Sequence, residues 1–256
     1  MLDHVGHPRI SRPGLTRRAL IGGSIAASAA AYLIYRPPLD LWPSLPELQA
    51  DYRTAKGERR EIKVAEGVAI TLNTFSSLSI LSSDIHRPEI ELLKGEASIK
   101  TARSPDSPLV VQVLDLKIQA SSAAFTARCV DGRVSVTCLE GSVDVENGAR
   151  MVALDAGLEV AFEQEEGLGT PLAVDSEQAS AWQRGLLIFH SRPLREVVAE
   201  VNRYRPGKII VTDDRLGNRL VNGTFHLDRL DLFPGQVQQL FGASLRTFPG
   251  GIVFLS

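Results

Sequence analysis

The chain is poor in the side chains that do chemistry. Its 256 residues include two cysteines, five histidines, two methionines and two tryptophans. His4, His7, His86, His190 and His226 are scattered, without the close spacing a metal site needs. No Gly-x-Ser-x-Gly elbow presents a nucleophile, and no Gly-rich loop is placed to cradle a phosphate. Neither sign of charge dominates: 28 basic residues face 30 acidic ones, so no strong field draws the chain to nucleic acid. Asp213-Asp214 and the Glu163, Glu165, Glu166 group read as solvated loop charge, not as a general acid and base. These deficits argue against an enzyme. They leave no catalytic, cofactor-binding or metal-binding residue to assign.

What is present is a folded, membrane-directed chain. Hydrophobic residues make up 44% and charged residues 23%, a balance that supports packed domains over disorder. Residues 19–35 carry no charge, and as a helix they would span about 26 Å, near the lower limit for crossing a bilayer. Arg9, Arg12, Arg17 and Arg18 lie before this span against one acid, Asp3. The positive-inside tendency therefore keeps the amino end in the cytoplasm and exports the bulk. Arg17-Arg18 also resembles a twin-arginine export signal. Ala27-Ser28-Ala29 and Ala29-Ala30-Ala31 would suit a signal peptidase. A retained single-pass anchor is favoured over a cleaved signal. Pro37, Pro38, Pro43 and Pro46 make residues 36–51 a stiff linker.

Residues 52–165 alternate apolar and polar side chains with period two, as in Val68-Ala69-Ile70-Thr71-Leu72 and Val134-Ser135-Val136-Thr137. Gly57, Gly67, Gly95, Gly132, Gly141, Gly148 and Gly157 punctuate them as turns. The pattern predicts an all-β domain of short strands, a sandwich or a solenoid-like sheet. If Asp131-Gly132 is a two-residue hairpin turn, Cys129 faces position 134 and not Cys138. Two buried thiols are then expected in place of a disulfide. Residues 166–180 read as an acidic, Gly-containing linker. Residues 181–256 follow the order β-α-β-β-α-β-β, a small α+β domain. Its first helix, opened by Pro193, lines Leu194, Val197, Val198, Val201 and Tyr204 on one face.

These pieces resemble the FecR family of transmembrane sigma-factor regulators. Gly57-Glu58-Arg59, Leu72-Asn73-Thr74 with Ser76, Leu93-Lys94-Gly95-Glu96-Ala97 and the run from Val136 to Val143 carry the resemblance in the β domain. Trp182 to Phe189, Pro193-Leu194 and Asn202-Arg203-Tyr204 carry it in the tail, which resembles the short N-terminal signalling domain of secretins and TonB-dependent receptors. The resemblance implies a mainly β protein anchored in the bacterial inner membrane. It would relay a signal from a TonB-dependent outer-membrane receptor to an extracytoplasmic-function sigma factor, with iron or siderophore as the usual cue. It implies no cofactor. Two departures stand out. Only residues 1–18 precede the span, which argues against direct sigma-factor contact by this chain. Ser122-Ala123 stands where self-cleaving relatives have Gly-Thr, so the hydroxyl needed for an acyl shift is missing.

Trp182, Leu187, Phe189, Leu220 and Phe225 are the candidate partner-binding residues, on the argument that an exposed sheet edge can accept a strand from another chain. Arg17 and Arg18 are the candidates for export and orientation. The alternative function is an exported, membrane-tethered binding module for glycan or peptide, without sigma-factor control. The mass of the mature amino terminus tests the anchor: retention leaves residues 1–35 on the protein, whereas a chain starting near residue 30 would show a cleaved signal.

Overall fold

The computed structural model describes residues 44–256. Chain contacts divide it into two units, residues 1–49 and residues 50–256. The proposed anchor, with Arg17 and Arg18, lies outside the described residues. Among the described residues no helix is long and apolar enough to cross a membrane.

The described end of the first unit is helix α1, Leu45–Gln49. Ser44 and Glu47 make a capping box: the Ser44 hydroxyl donates to the Glu47 carboxylate at 2.8 Å, and the Glu47 N–H donates back to the hydroxyl at 3.4 Å. Part of the Pro-rich stretch is therefore a helical turn and not extended chain.

Residues 52–173 hold thirteen strands: β1 Tyr52–Arg53, β2 Arg60–Ala65, β3 Val68–Leu72, β4 Ser77–Asp84, β5 Arg87–Ala102, β6 Leu109–Val113, β7 Leu116–Ala120, β8 Ser122–Val130, β9 Arg133–Asn147, β10 Arg150–Asp155, β11 Leu158–Glu163, β12 Gly167–Leu168 and β13 Leu172–Ala173. Strand makes up 54% of the structure, so the protein is mainly β. The alternation works as expected. In β3, Val68, Ile70 and Leu72 point into the core while Ala69 and Thr71 do not. Ile90, Leu92, Ile99, Leu109, Ile118 and Phe125 are fully buried in that same core.

Two strands are much longer than expected, at 16 residues for β5 and 15 for β9. Each serves two halves of the sheet. Residues 87–94 of β5 pair with β4, and residues 95–102 pair with β8. Residues 133–141 of β9 pair with β8, and residues 142–147 pair with β10. The change of partner falls at Gly95 (φ 91°) and at Gly141 (φ 73°). These glycines, read from sequence as turns, are corners inside continuous strands. Both corners are crowded: a Cβ on Gly95 would lie 2.3 Å from Ser76 Oγ, and one on Gly141 would lie 2.4 Å from the Ser122 carbonyl oxygen.

The Asp131-Gly132 turn is as expected. Both residues have positive φ, at 53° and 77°, which is the two-residue hairpin geometry. It sets Cys129 opposite Val134 and Cys138 opposite Phe125. Burial, with Asp155 nearby, pushes the Cys138 thiol above its ordinary value.

Residues 166–180, read as a linker, lie along the β domain. Strands β12 and β13 both pair with β11. Asp175 then caps α2, Ser176–Ser180, by accepting from two backbone N–H groups. A 3-10 turn, Ala181–Arg184, leads into the small domain. That domain comprises β14 Leu186–Pro193, α3 Leu194–Tyr204, β15 Lys208–Val211, α4 Asp214–Gly217, β16 Leu220–His226, α5 Phe233–Phe241, β17 Leu245–Phe248 and β18 Ile252–Leu255. Its strands form two sheets, β14-β16 and β15-β18-β17. Pro193 is the last residue of β14, paired with Leu220, and not the first of the helix. Pro234 lies in the first turn of α5, where its missing N–H costs no helical hydrogen bond.

Two glycine substitutions separate crowding from backbone strain. Gly132 has open space around its α-carbon, so Gly132→Ala is expected to cost about 1 kcal/mol from positive φ alone. Gly95→Ala adds a steric clash and is expected to cost about 3 kcal/mol or more. Urea denaturation midpoints measure the two; equal losses would show that the corner is not tightly packed.

Candidate functional site

The short motifs scattered along the sequence meet at one seam, where the small domain packs on the β domain. Asn73 follows β3 and is fully buried, and Glu96 follows the Gly95 corner and is 5% exposed. Two polar side chains so buried need partners. Asn73 Nδ2 donates to Glu96 Oε2 at 2.8 Å and to the Tyr204 hydroxyl of α3 at 2.7 Å. Asn73 Oδ1 accepts the Thr74 N–H at 2.8 Å. Ser76 Oγ donates to the Glu96 carbonyl at 3.0 Å and accepts the Glu96 N–H at 2.9 Å. Thr74 Oγ1 donates to the Arg203 carbonyl at 3.0 Å and accepts the Gly57 N–H at 2.8 Å.

Four charges alternate across the seam. Arg203 Nη1 lies 3.2 Å from Glu96 Oε2 and 2.8 Å from Glu200 Oε1. Arg128 Nη2 of β8 lies 2.6 Å from Glu200 Oε2, and Arg128 Nη1 lies 3.9 Å from Glu96. Burial opposes ionisation of Glu200, but Arg128 and Arg203 outweigh it and hold the carboxyl below its usual range. Arg128 is correspondingly harder to deprotonate: burial works against its charge, and Glu200 and Glu96 overcome it. Burial, Glu96 and Glu200 all push the Tyr204 phenol up, so it stays neutral. Around the rim, Arg59 donates to the Trp182 carbonyl at 2.7 Å and the Lys56 ammonium to the Gly207 carbonyl at 3.3 Å. Burial, then the neighbouring Arg205 and Lys208, lower the Lys56 pKa.

Beside this network the two domains enclose a cleft of about 470 Å³. Its β-domain wall presents Thr126, Ser135, Thr137 and Glu159, and its other wall is Trp182 and strand β14. Thr137 Oγ1 donates to Glu159 Oε2 at 2.5 Å. The hydroxyls here have no adjacent histidine or lysine to activate them. Among the described residues no group of His, Cys, Asp and Glu is placed to hold a metal ion. The arrangement can hold two modules together and receive a polar chain.

The candidate residues fall in different places. Trp182 is 3% exposed, with its indole N–H unpartnered. Leu187 and Phe189 are buried in the core of the small domain. Phe225 packs against that core, its ring 5.9 Å from Phe189 and 5.2 Å from Phe233. Leu220 alone of the five is well exposed, at 56%. Glu200 and Arg203, off the apolar face of α3, both lie in the seam. Their spacing held the clue: Glu196, Glu200 and Arg203 stand at i, i+4 and i+7, a polar stripe beside the apolar one. Arg128 carried no such signal. The tail motif Asn202-Arg203-Tyr204 resolves into three roles. Asn202 bonds both backbone groups of Ile209, at 2.8 and 2.7 Å, closing the free edge of β15; Arg203 and Tyr204 enter the seam.

Fold and site define a two-module protein, an all-β domain packed against an α+β domain. Residues 50–144, within the β module, match the family model described as FecR protein. Two crystal structures of a candidate anti-sigma factor from Parabacteroides distasonis ATCC 8503 share the fold. Each is 18% identical; one covers 80% of this chain and 97% of its own with a TM-score of 0.69, the other 80% and 96% with 0.65. No curated protein matches the chain.

The depressed Glu200 fixes a pH dependence. Its contribution to stability is fully present above the unfolded carboxyl value, about 4.3, and drains away as pH falls through the lower folded value. Urea midpoints measured from pH 6 to pH 3 should therefore fall more steeply for the unsubstituted chain than for Glu200→Gln. Parallel profiles would show that Glu200 is not held ionised by the two arginines.

Proposed function

We propose that the chain is a FecR-like regulator in sigma-factor control, working by protein contact and without catalysis. The FecR match and the anti-sigma-factor fold neighbours support the sigma-factor role. The observation that carries the reading is the seam, which joins the β module to the α+β module as one body and so gives a contact at one module a rigid route to the other. In the finer reading, the hydrophobic span holds the protein in the bacterial inner membrane with its bulk in the periplasm. The α+β module then receives the signalling domain of a TonB-dependent outer-membrane receptor, iron or siderophore being the cue. A sigma factor of the extracytoplasmic-function class lies downstream of that contact.

Surface plasmon resonance of the full chain against the signalling domain of a receptor encoded beside it tests the relay. Saturable binding in the micromolar range, lost when residues 181–256 are replaced by an unrelated domain, is expected. Absence of binding to the receptor domain would overturn the receptor limb. A sigma-factor reporter unchanged by deletion of this gene would overturn the regulatory reading.

A further inference from the structure

The geometry points to the cleft beside the seam as a binding site for an extended segment of a partner polypeptide carrying a basic side chain. Three independent features set this chemistry. The first is an open strand edge. Leu227 N–H donates to the Gly185 carbonyl at 2.9 Å, just beyond the Leu186↔His226 pair. Alternation along an antiparallel ladder then turns the N–H and C=O of Leu187 and Phe189 toward β16 and those of Ile188 away from it. Ile188 lines the cleft. Among the described residues no hydrogen bond outside the ladder reaches its backbone. The contrast with β15, whose free edge Asn202 closes, shows that this fold blocks one edge and leaves this one open.

The second feature is the Trp182 indole N–H, buried without an acceptor in the same wall. An orphaned buried donor costs about 1–3 kcal/mol, and a carbonyl of an incoming backbone would satisfy it. The third is Glu159. Its one hydrogen-bond partner among the described residues is the Thr137 hydroxyl, and no cation pairs with it. Each of the other cleft carboxylates has partners: Glu96 and Glu200 are matched by Arg128 and Arg203, Glu196 by Arg192 at 2.9 Å, and Asp175 accepts two backbone N–H groups and lies 3.2 Å from His190 Nδ1. An unpaired carboxylate in a walled cleft favours a Lys or Arg in the occupant. The volume, about 470 Å³, falls in the range of pockets that bury a small ligand, about 300–1,000 Å³. The inference does not depend on which protein supplies the segment.

The sequence has two tryptophans, so a full-length Trp42→Phe chain leaves Trp182 as the single reporter. Its fluorescence is titrated with acetylated tetrapeptide-amide pools in which one position is fixed as Lys, Glu or Ala. Lys pools should half-saturate at a concentration at least fivefold below Glu pools, and Glu159→Gln should erase that preference. N-methylating alternate backbone nitrogens of a Lys peptide should weaken it at least tenfold in one of the two registers, as strand addition requires. Urea midpoints confirm that Glu159→Gln remains folded. Equal response to Lys and Glu pools, a preference that survives Glu159→Gln, or indifference to N-methylation overturns the proposal. So does a response to neutral oligosaccharides with none to peptides, which would make the cleft a glycan site.

Discussion

The structure turns on a buried exchange of charge. Glu96 and Arg128 project from the β domain, and Glu200 and Arg203 from α3, so that each guanidinium touches two carboxylates. Such networks are weak glue on balance, because removing four charges from water costs nearly what their attraction returns. What they supply is geometry. A hydrophobic seam would tolerate sliding, whereas this one has a single arrangement that leaves no carboxylate unmatched. Asn73 makes the arrangement stricter, since its amide spends one N–H on Glu96 and the other on Tyr204. The small domain is therefore held in one orientation by polar groups that all need each other.

The network depends in turn on two bent strands. Glu96 stands next to the corner at Gly95, where β5 leaves β4 and joins β8. Arg128 stands opposite Glu96 in the β5–β8 register. If the corner were absent, the second half of β5 would continue in the plane of the first and carry Glu96 away from α3. The Ser76 hydroxyl, which fills the space a Cβ on Gly95 would occupy, binds both backbone groups of Glu96. Corner, hydroxyl and carboxylate form one device, which ties Ser76 of one motif to Gly95-Glu96 of another.

Much of this was legible in the sequence, and the failures are instructive. Period-two alternation found the strands because one face of each packs on a core, as β3 shows. It could not find the corners. A glycine at positive φ looks the same whether it ends a strand or bends one, and only the register on both sides distinguishes Gly95 and Gly141 from Gly132. The apolar face of α3 was readable from its spacing. Its polar stripe was not, because Glu200 and Arg203 have the composition of solvated residues; what buries them is a partner surface 70 to 110 positions earlier in the chain. The aromatic candidates lie in different places, Trp182 at the cleft and Phe189 and Phe225 at the core of the small domain. Phe189 and Phe225 were chosen for an exposed sheet edge, and their side chains pack in or against the core, because alternation along a strand sends every second side chain inward. The sequence motifs of the resemblance did better, since Asn73, Glu96, Arg203 and Tyr204 all belong to the seam.

A double-mutant cycle between Glu96 and Arg203 tests the central claim most directly. Glu96→Gln, Arg203→Gln and the double variant are compared by urea denaturation. If the pair fixes the seam, the double variant is more stable than the sum of the single losses by about 1.5 kcal/mol or more, within the range for residues sharing one network. Additivity to within about 0.4 kcal/mol would mean that the two residues do not act on each other, and the account of a seam set by buried charge would be wrong.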